Sequence, residues 1–168
     1  MTRYAKPLVV FYSHSGHTRD VAERFVRLSG ADRRQLSPAR YDIPVLWTVQ
    51  AMFDAVTGAE PPLPNLGLGL AGERRWVVVA GPVWAGRLAA PLRPVLRALR
   101  PVDVPVGLLL TCGSPKGAPG AIRSAERVLD RPFAATAFVA NGEPASDDTD
   151  GLNGFLARLD EARSLVLL

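Results

Sequence analysis

Short apolar blocks alternate with segments of helical period five times along the chain. The block "PLVVFY" (7–12) is continuously apolar, the pattern of a strand buried on both faces. After it, Val21, Phe25 and Leu28 recur at i, i+4 and i+7, the stripe of a helix lying on a sheet. "RRQL" (33–36) predicts a weaker, edge-like strand. A second helical stripe follows at Val45, Val49, Met52, Phe53 and Val56, and the prolines of "GAEPPLP" (58–64) end it. "WVVVAG" (76–81) predicts the next buried strand, with a helix carrying Leu88, Leu92, Val95, Leu96 and Leu99 behind it. "VPVGLLLT" (104–111) and "FAATAFVA" (133–140) complete the strands. The first of these two leads to a helix with Ala121, Ile122, Ala125, Val128 and Leu129 on one side. The second leads, through a polar loop and an aspartate cap near 148–150, to a helix carrying Leu152, Phe155, Leu156 and Leu159.

Five strands, each followed by a helix, predict an α/β fold: a parallel sheet with helices on both faces, residues 1–168 forming one domain. There is no repeat, and the Gly/Pro-rich stretch 58–72 is an internal connection. The closing "SLVLL" (164–168) is more apolar than a free tail; it is expected to pack at the end of the last helix or, failing that, to meet a partner.

Length and composition narrow the setting. A chain of 168 residues buries roughly 70% of its unfolded surface, so it needs no metal or disulfide to hold together. A single cysteine, Cys112, allows no internal disulfide and fits a reducing cytoplasm. No secretory leader is expected, and no run reaches the ~20 apolar residues of a membrane span. The net charge is +4, and of the 20 basic residues only Lys6 and Lys116 are lysines. The arginines are spread along the chain rather than interleaved with aromatics in tracts, which argues against nucleic acid as the partner. The one local skew is acidic, at Glu143, Asp147, Asp148 and Asp150.

Candidate chemistry gathers where the first strand ends. Ser13-His14-Ser15-Gly16-His17-Thr18 leads straight into a helix. A helix start offers unpaired N–H groups and the positive end of the dipole. Gly16 allows close backbone approach, and the hydroxyls of Ser13, Ser15 and Thr18 can donate to phosphate oxygens. The loop suits a terminal phosphate monoester held by neutral donors. The competing reading is a serine-rich helix cap with no ligand. Neither G-x-x-x-x-G-K-[ST] nor G-x-G-x-x-G is present, which removes the nucleotide-hydrolase loop and the dinucleotide fingerprint. Two histidines without a third ligand do not make a metal site.

The S-x-S-G-x-T loop resembles the phosphate loop of the flavodoxin-like family, whose members bind flavin mononucleotide (FMN). The likeness extends to "AGPVWAGRLAAPLRPVL" (80–96), similar to the family's third-strand exit, and to "LLLTCGS" (108–114), similar to its fourth. The resemblance implies a three-layer α/β/α sandwich with a five-stranded parallel sheet of order 2-1-3-4-5. It also implies that Ser13, His14 (through its backbone), Ser15, Gly16, His17 and Thr18 hold the FMN phosphate. Pro82, Val83, Trp84, Ala85 and Gly86 would lie along the isoalloxazine, with Trp84 stacking on it or, alternatively, filling the core. Cys112, Gly113 and Ser114 would border its other sides, Cys112 as an inert strand-end thiol.

Two departures from the electron-carrier pattern bear on function. Carrier flavodoxins are acidic, whereas this chain is basic, and "CGSPKGAPG" (112–120) offers Lys116 in place of a second aromatic or an acid. A cation at the flavin edge favours the anionic reduced form. The leading expectation is therefore an FMN-dependent oxidoreductase passing electrons from NAD(P)H to a quinone or another small-molecule or protein acceptor, with Lys116 and Arg87 tuning the flavin. The alternatives are a one-electron flavodoxin, and a binding module that has lost FMN and uses the helix near 45–56 and the loop 58–72 as a partner surface.

Overall fold

Leu8–Tyr12 forms β1, and all five of its side chains are buried, as a strand covered on both faces requires. The computed structural model describes residues 6–38, 47–60, 62, 71–141 and 149–165. The further strands are β2 (Asp32–Leu36), β3 (Val77–Trp84), β4 (Arg87–Leu88), β5 (Val106–Cys112) and β6 (Ala135–Ala140). The helices are α1 (His17–Ser29), α2 (Trp47–Thr57), α3 (Arg93–Leu99), α4 (Ala118–Leu129) and α5 (Thr149–Leu165). The parallel strands run in the order β2-β1-β3-β5-β6, and the two-residue β4 folds back antiparallel on β3. Counting the parallel strands alone, this is the expected 2-1-3-4-5 order. β4 is the addition that the apolar pattern does not reveal.

Side chains alternate between two cores. Val10, Val79, Leu108 and Leu110 face the layer of α3 and α4, where Leu96, Ala121 and Ala125 meet them. Val9, Phe11, Val78 and Leu109 face α1 and α5, against Phe25, Phe155 and Leu159. Trp76, wholly buried just before β3, stacks at 5.7 Å from Phe25 and donates its indole N–H to Asp160 of α5 at 2.9 Å. A Cβ on Gly107 of β5 would fall 2.9 Å from both Phe155 and Leu159, so the missing side chain is what lets α5 lie flat on the sheet.

Several elements differ from the sequence reading. The strand expected at 76–81 continues to Trp84, and the helix expected from Leu88 starts only at Arg93, after a 3₁₀ turn at Ala90–Leu92. Leu88 is instead buried in β4, because the chain doubles back in a hairpin before it can turn helical. The stripe of α2 points the other way: Val49, Met52, Phe53 and Val56 are 68%, 57%, 62% and 56% exposed, while Ala51 and Asp54 face inward. The buried side of α2 is fixed by Arg93, which donates to the carbonyls of Asp54 (2.8 Å) and Ala59 (3.2 Å). Leu28 likewise lies at the exposed margin of α1. Val45, the acidic residues Glu143, Asp147 and Asp148, and the tail beyond Leu165 lie outside the described residues.

Candidate functional site

The winding of the sheet reverses at β1, with β2 on one side and β3 on the other, and sheets of this kind take ligands beyond the strand ends at that point. The loop leaving β1 is built around Gly16, whose φ of 96° is left-handed and whose missing side chain faces open space. The Gly16 N–H donates to the Ser13 hydroxyl at 3.2 Å, closing a turn three residues long. Ser13 therefore shapes the loop, and its hydroxyl proton is still available to an acceptor. No side chain caps α1. Its first internal bond runs from the Asp20 N–H to the Gly16 carbonyl, which leaves the amides of His17, Thr18 and Arg19 without an intrahelical acceptor. The serine-rich cap considered from sequence is thus absent. His14 and Ser15 are exposed, and His17 is half-buried with its Nε2 enclosed and bonded to no protein group.

Thr18 behaves differently from the other hydroxyls. It is buried, and its Oγ1 lies 2.7 Å from the Oγ1 of Thr111 at the end of β5. This contact pins the first turn of α1 onto the central sheet. A second contact joins the strand ends: Tyr12, the last residue of β1, meets the Trp84 ring edge-on, with centroids 5.5 Å apart and planes at 88°.

Trp84 ends β3 half-buried against the core, so Pro82, Val83 and Trp84 are strand residues and not the loop expected from sequence. The loop itself is only Ala85-Gly86, with φ of 47° and 69°. Two positive φ values between Trp84 and its partner Arg87 make this a type I′ hairpin turn. The turn rests on the start of α4. A Cβ on Gly120 would come 2.8 Å from the Gly86 carbonyl, and one on Gly117 would come 3.3 Å from Val83. Gly86 therefore faces α4 with its carbonyl, and Arg87 donates to the Val56 carbonyl at 3.3 Å.

At the end of β5, Cys112 is buried while Gly113 and Ser114 are exposed. Ser114 accepts from the Lys116 N–H at 3.4 Å, starting a 3₁₀ turn that leaves the Lys116 side chain in solvent. Burial pushes the Cys112 thiol above its ordinary pKa, and a backbone hydrogen bond at Ser114 only partly opposes this, so the thiol is protonated at neutral pH and a poor nucleophile. No cluster of three or more metal-ligating side chains occurs among the described residues.

The three sequence-predicted segments thus end on adjacent strands, tied by the Tyr12–Trp84 and Thr18–Thr111 contacts. Tyr12 and Thr111 were not among the predicted site residues. The available signal was positional: each is the polar-tipped residue that closes an apolar strand just ahead of a candidate loop. Among the described residues no helix is long and apolar enough to cross a membrane.

No protein-family model matches the chain, and no curated protein matches it in sequence. Solved structures do match. A flavoprotein of Lactobacillus acidophilus NCFM in complex with FMN superposes with a TM-score of 0.66 at 18% identity, covering 88% of this chain and 98% of the other. A WrbA-like flavodoxin of Agrobacterium tumefaciens gives 0.67 at 12% identity over 95% of this chain and 98% of the other. The two-electron reduced flavodoxin of Megasphaera elsdenii gives 0.51 at 17% identity over 94% and 97%. Strand order, the layering of helices and these superpositions agree that the chain has the flavodoxin-like fold.

Proposed function

We propose that the chain binds FMN at the ends of β1, β3 and β5 and works as an FMN-dependent oxidoreductase. The observation that carries this reading is the loop after β1: a left-handed glycine opens an uncapped helix start beside the Ser13 hydroxyl and the enclosed, unpartnered Nε2 of His17. Those donors suit a phosphate monoester dianion. The amides of His17 and Thr18 and the hydroxyls of Ser13 and Ser15 would hold it, with Gly16 giving access. Pro82–Gly86 would border the isoalloxazine, Trp84 offering the exposed part of its ring, and Cys112–Ser114 would close the pyrimidine side. FMN, when bound, supplies one- and two-electron transfer. Lys116, exposed beyond β5, would place positive charge near the flavin edge. FMN is named in the Lactobacillus acidophilus complex, which has the same architecture.

NAD(P)H as donor and a quinone or other acceptor are the reading that a basic chain with a cation in the β5 loop favours over one-electron carriage. The protein is read as a single cytoplasmic domain. A titration followed by flavin fluorescence, with riboflavin alongside FMN, tests the cofactor. Quenching by FMN at micromolar affinity with riboflavin clearly weaker supports it, and equal or absent binding of the two refutes it. A second reading, a flavodoxin-like interaction module without flavin, draws on the exposed apolar row of α2 at Val49, Met52, Phe53 and Val56. Absent flavin binding would move that reading first.

A further inference from the structure

A cavity of about 390 Å³ is lined by the Ala85-Gly86 turn, α3, α4 and the chain leaving α2. Five arginines line it, Arg87, Arg93, Arg97, Arg123 and Arg127, against the single carboxylate of Glu60. The lining thus carries a net four positive charges, as many as the whole 168-residue chain. Two of the five form the back of the site. Arg93 is 4% exposed and anchored on the Asp54 and Ala59 carbonyls, and Arg97 grips Glu60 through Nε at 3.1 Å to each carboxylate oxygen. The others face the cavity without ionic partners: among the described residues Arg87, Arg123 and Arg127 form no ion pair. Arg123 and Arg127 stand four apart on α4 and so lie on the same side of it, with Glu126 and Asp130 each three residues further on. Ser124, between them in sequence, adds a hydroxyl, and Gly86 and Gly120 keep the floor low.

We propose that this cavity is a second anion site, separate from the loop after β1, that takes a phosphorylated small molecule carrying at least two negative charges. Guanidinium forks arranged around one concavity match the paired oxygens of phosphate groups better than a single carboxylate. The volume is that of a small-molecule pocket, and no aromatic lines it to stack nucleic-acid bases. The ligand would lie against the hairpin turn, and no residue of Ser13–Thr18 lines the cavity. The inference stands on the cavity alone and does not depend on flavin binding.

The test is calorimetric titration of the protein with inorganic pyrophosphate at low salt, in the presence of excess FMN so that the first loop is filled. Submillimolar binding is expected, weakening steeply with salt. Arg123→Gln and Arg127→Gln, both on the exposed face of α4 and so tolerated by the fold, should each weaken it about tenfold, the loss of one charge-assisted contact. Arg158→Gln, which removes an exposed arginine on α5 that does not line the cavity, should leave the pyrophosphate affinity unchanged, and the flavin titration is read separately from both. ADP and NADPH run alongside identify the source: tighter binding than pyrophosphate with the same arginine dependence assigns a nucleotide, and weaker binding assigns a free polyphosphate. No heat with pyrophosphate, affinity indifferent to both arginine substitutions, or citrate binding as tightly as pyrophosphate would each overturn the proposal.

Discussion

The Thr18–Thr111 hydroxyl pair offers a sharp measurement because both residues are nearly inaccessible, 3% and 2% exposed, and their oxygens are 2.7 Å apart. Thr18→Val removes one hydroxyl while keeping the shape, so the Thr111 hydroxyl loses its partner away from water. Leaving a buried polar group unsatisfied costs about 1–3 kcal/mol. For a chain of this length each kcal/mol lowers Tm by roughly 2–4 °C. Thr111→Val should cost a similar amount. The double variant has no orphaned group, so it should be closer to the parent than either single change suggests, with a coupling of about 1–2 kcal/mol. Urea unfolding of the four proteins gives the cycle directly. The same proteins also separate two roles for Thr18. Its hydroxyl is turned into the core while its amide stays at the helix start. FMN affinity should therefore survive in the double variant. Strict additivity of the two losses would refute the pairing, and a tenfold or greater loss of FMN affinity in a well-folded double variant would show that the Thr18 hydroxyl serves the ligand instead.

Ala85 sits at φ 47° in the hairpin turn, where a Cβ costs about 1–2 kcal/mol and asparagine is better tolerated. Ala85→Asn should therefore raise stability by about 0.5–1 kcal/mol, read as an increase in Tm; no gain would mean the turn is not type I′ in solution. Gly107→Ala drives a methyl to within 2.9 Å of Phe155 and Leu159 and 3.2 Å of Val78. It should cost about 1–3 kcal/mol in denaturant unfolding, and a neutral result would show that α5 does not press on β5. The Cys112 thiol binds its proton more tightly in the folded protein than in the unfolded chain. Its contribution to stability is thus complete below the unfolded thiol's pKa and is lost as pH rises through the folded one. Alkylation by iodoacetamide should have a midpoint above that of a free cysteine; a midpoint below it would contradict the burial.

The apolar blocks made the sheet legible. Strands such as β1, β3 and β5 are covered on both faces, so their hydrophobicity is continuous, and their order in the chain alternates with helices. The place of the hydroxyl-rich segment was also legible, because it follows the apolar block of β1 directly and leads into α1. What escaped depends on residues far apart in sequence. Nothing around Thr18 indicates that Thr111, 93 residues on, will take its hydroxyl. Nothing in the stripe of α2 tells which side of the helix Arg93 will fasten. The apolar block 76–81 does not show that β3 runs on to Trp84, because its last three residues are only half-buried. In the sheet Pro82 pairs with Thr111 while its own carbonyl accepts from the Ala89 N–H at 3.2 Å, which helps to close the hairpin. In sequence the cavity arginines are only a scattered basic composition, since three elements, β4, α3 and α4, bring them together.

Among the described residues the two edge strands of the sheet differ in charge. β2 exposes Asp32, Arg33, Arg34 and Gln35, with Arg33 paired to Glu23 and Asp32 to Arg74, so an incoming strand would have to strip charges before pairing. β6 reads ATAFVA, carries no charge and shows Phe138 46% exposed; its bond from Arg158 to the Thr136 carbonyl guards one group. Strand addition is therefore opposed at β2, while no charge among the described residues of β6 opposes it there. Two copies that paired through β6 would each leave the charged β2 edge outward. Strand pairing of that kind would close at two copies, since a fibre needs two adhesive ends on every copy.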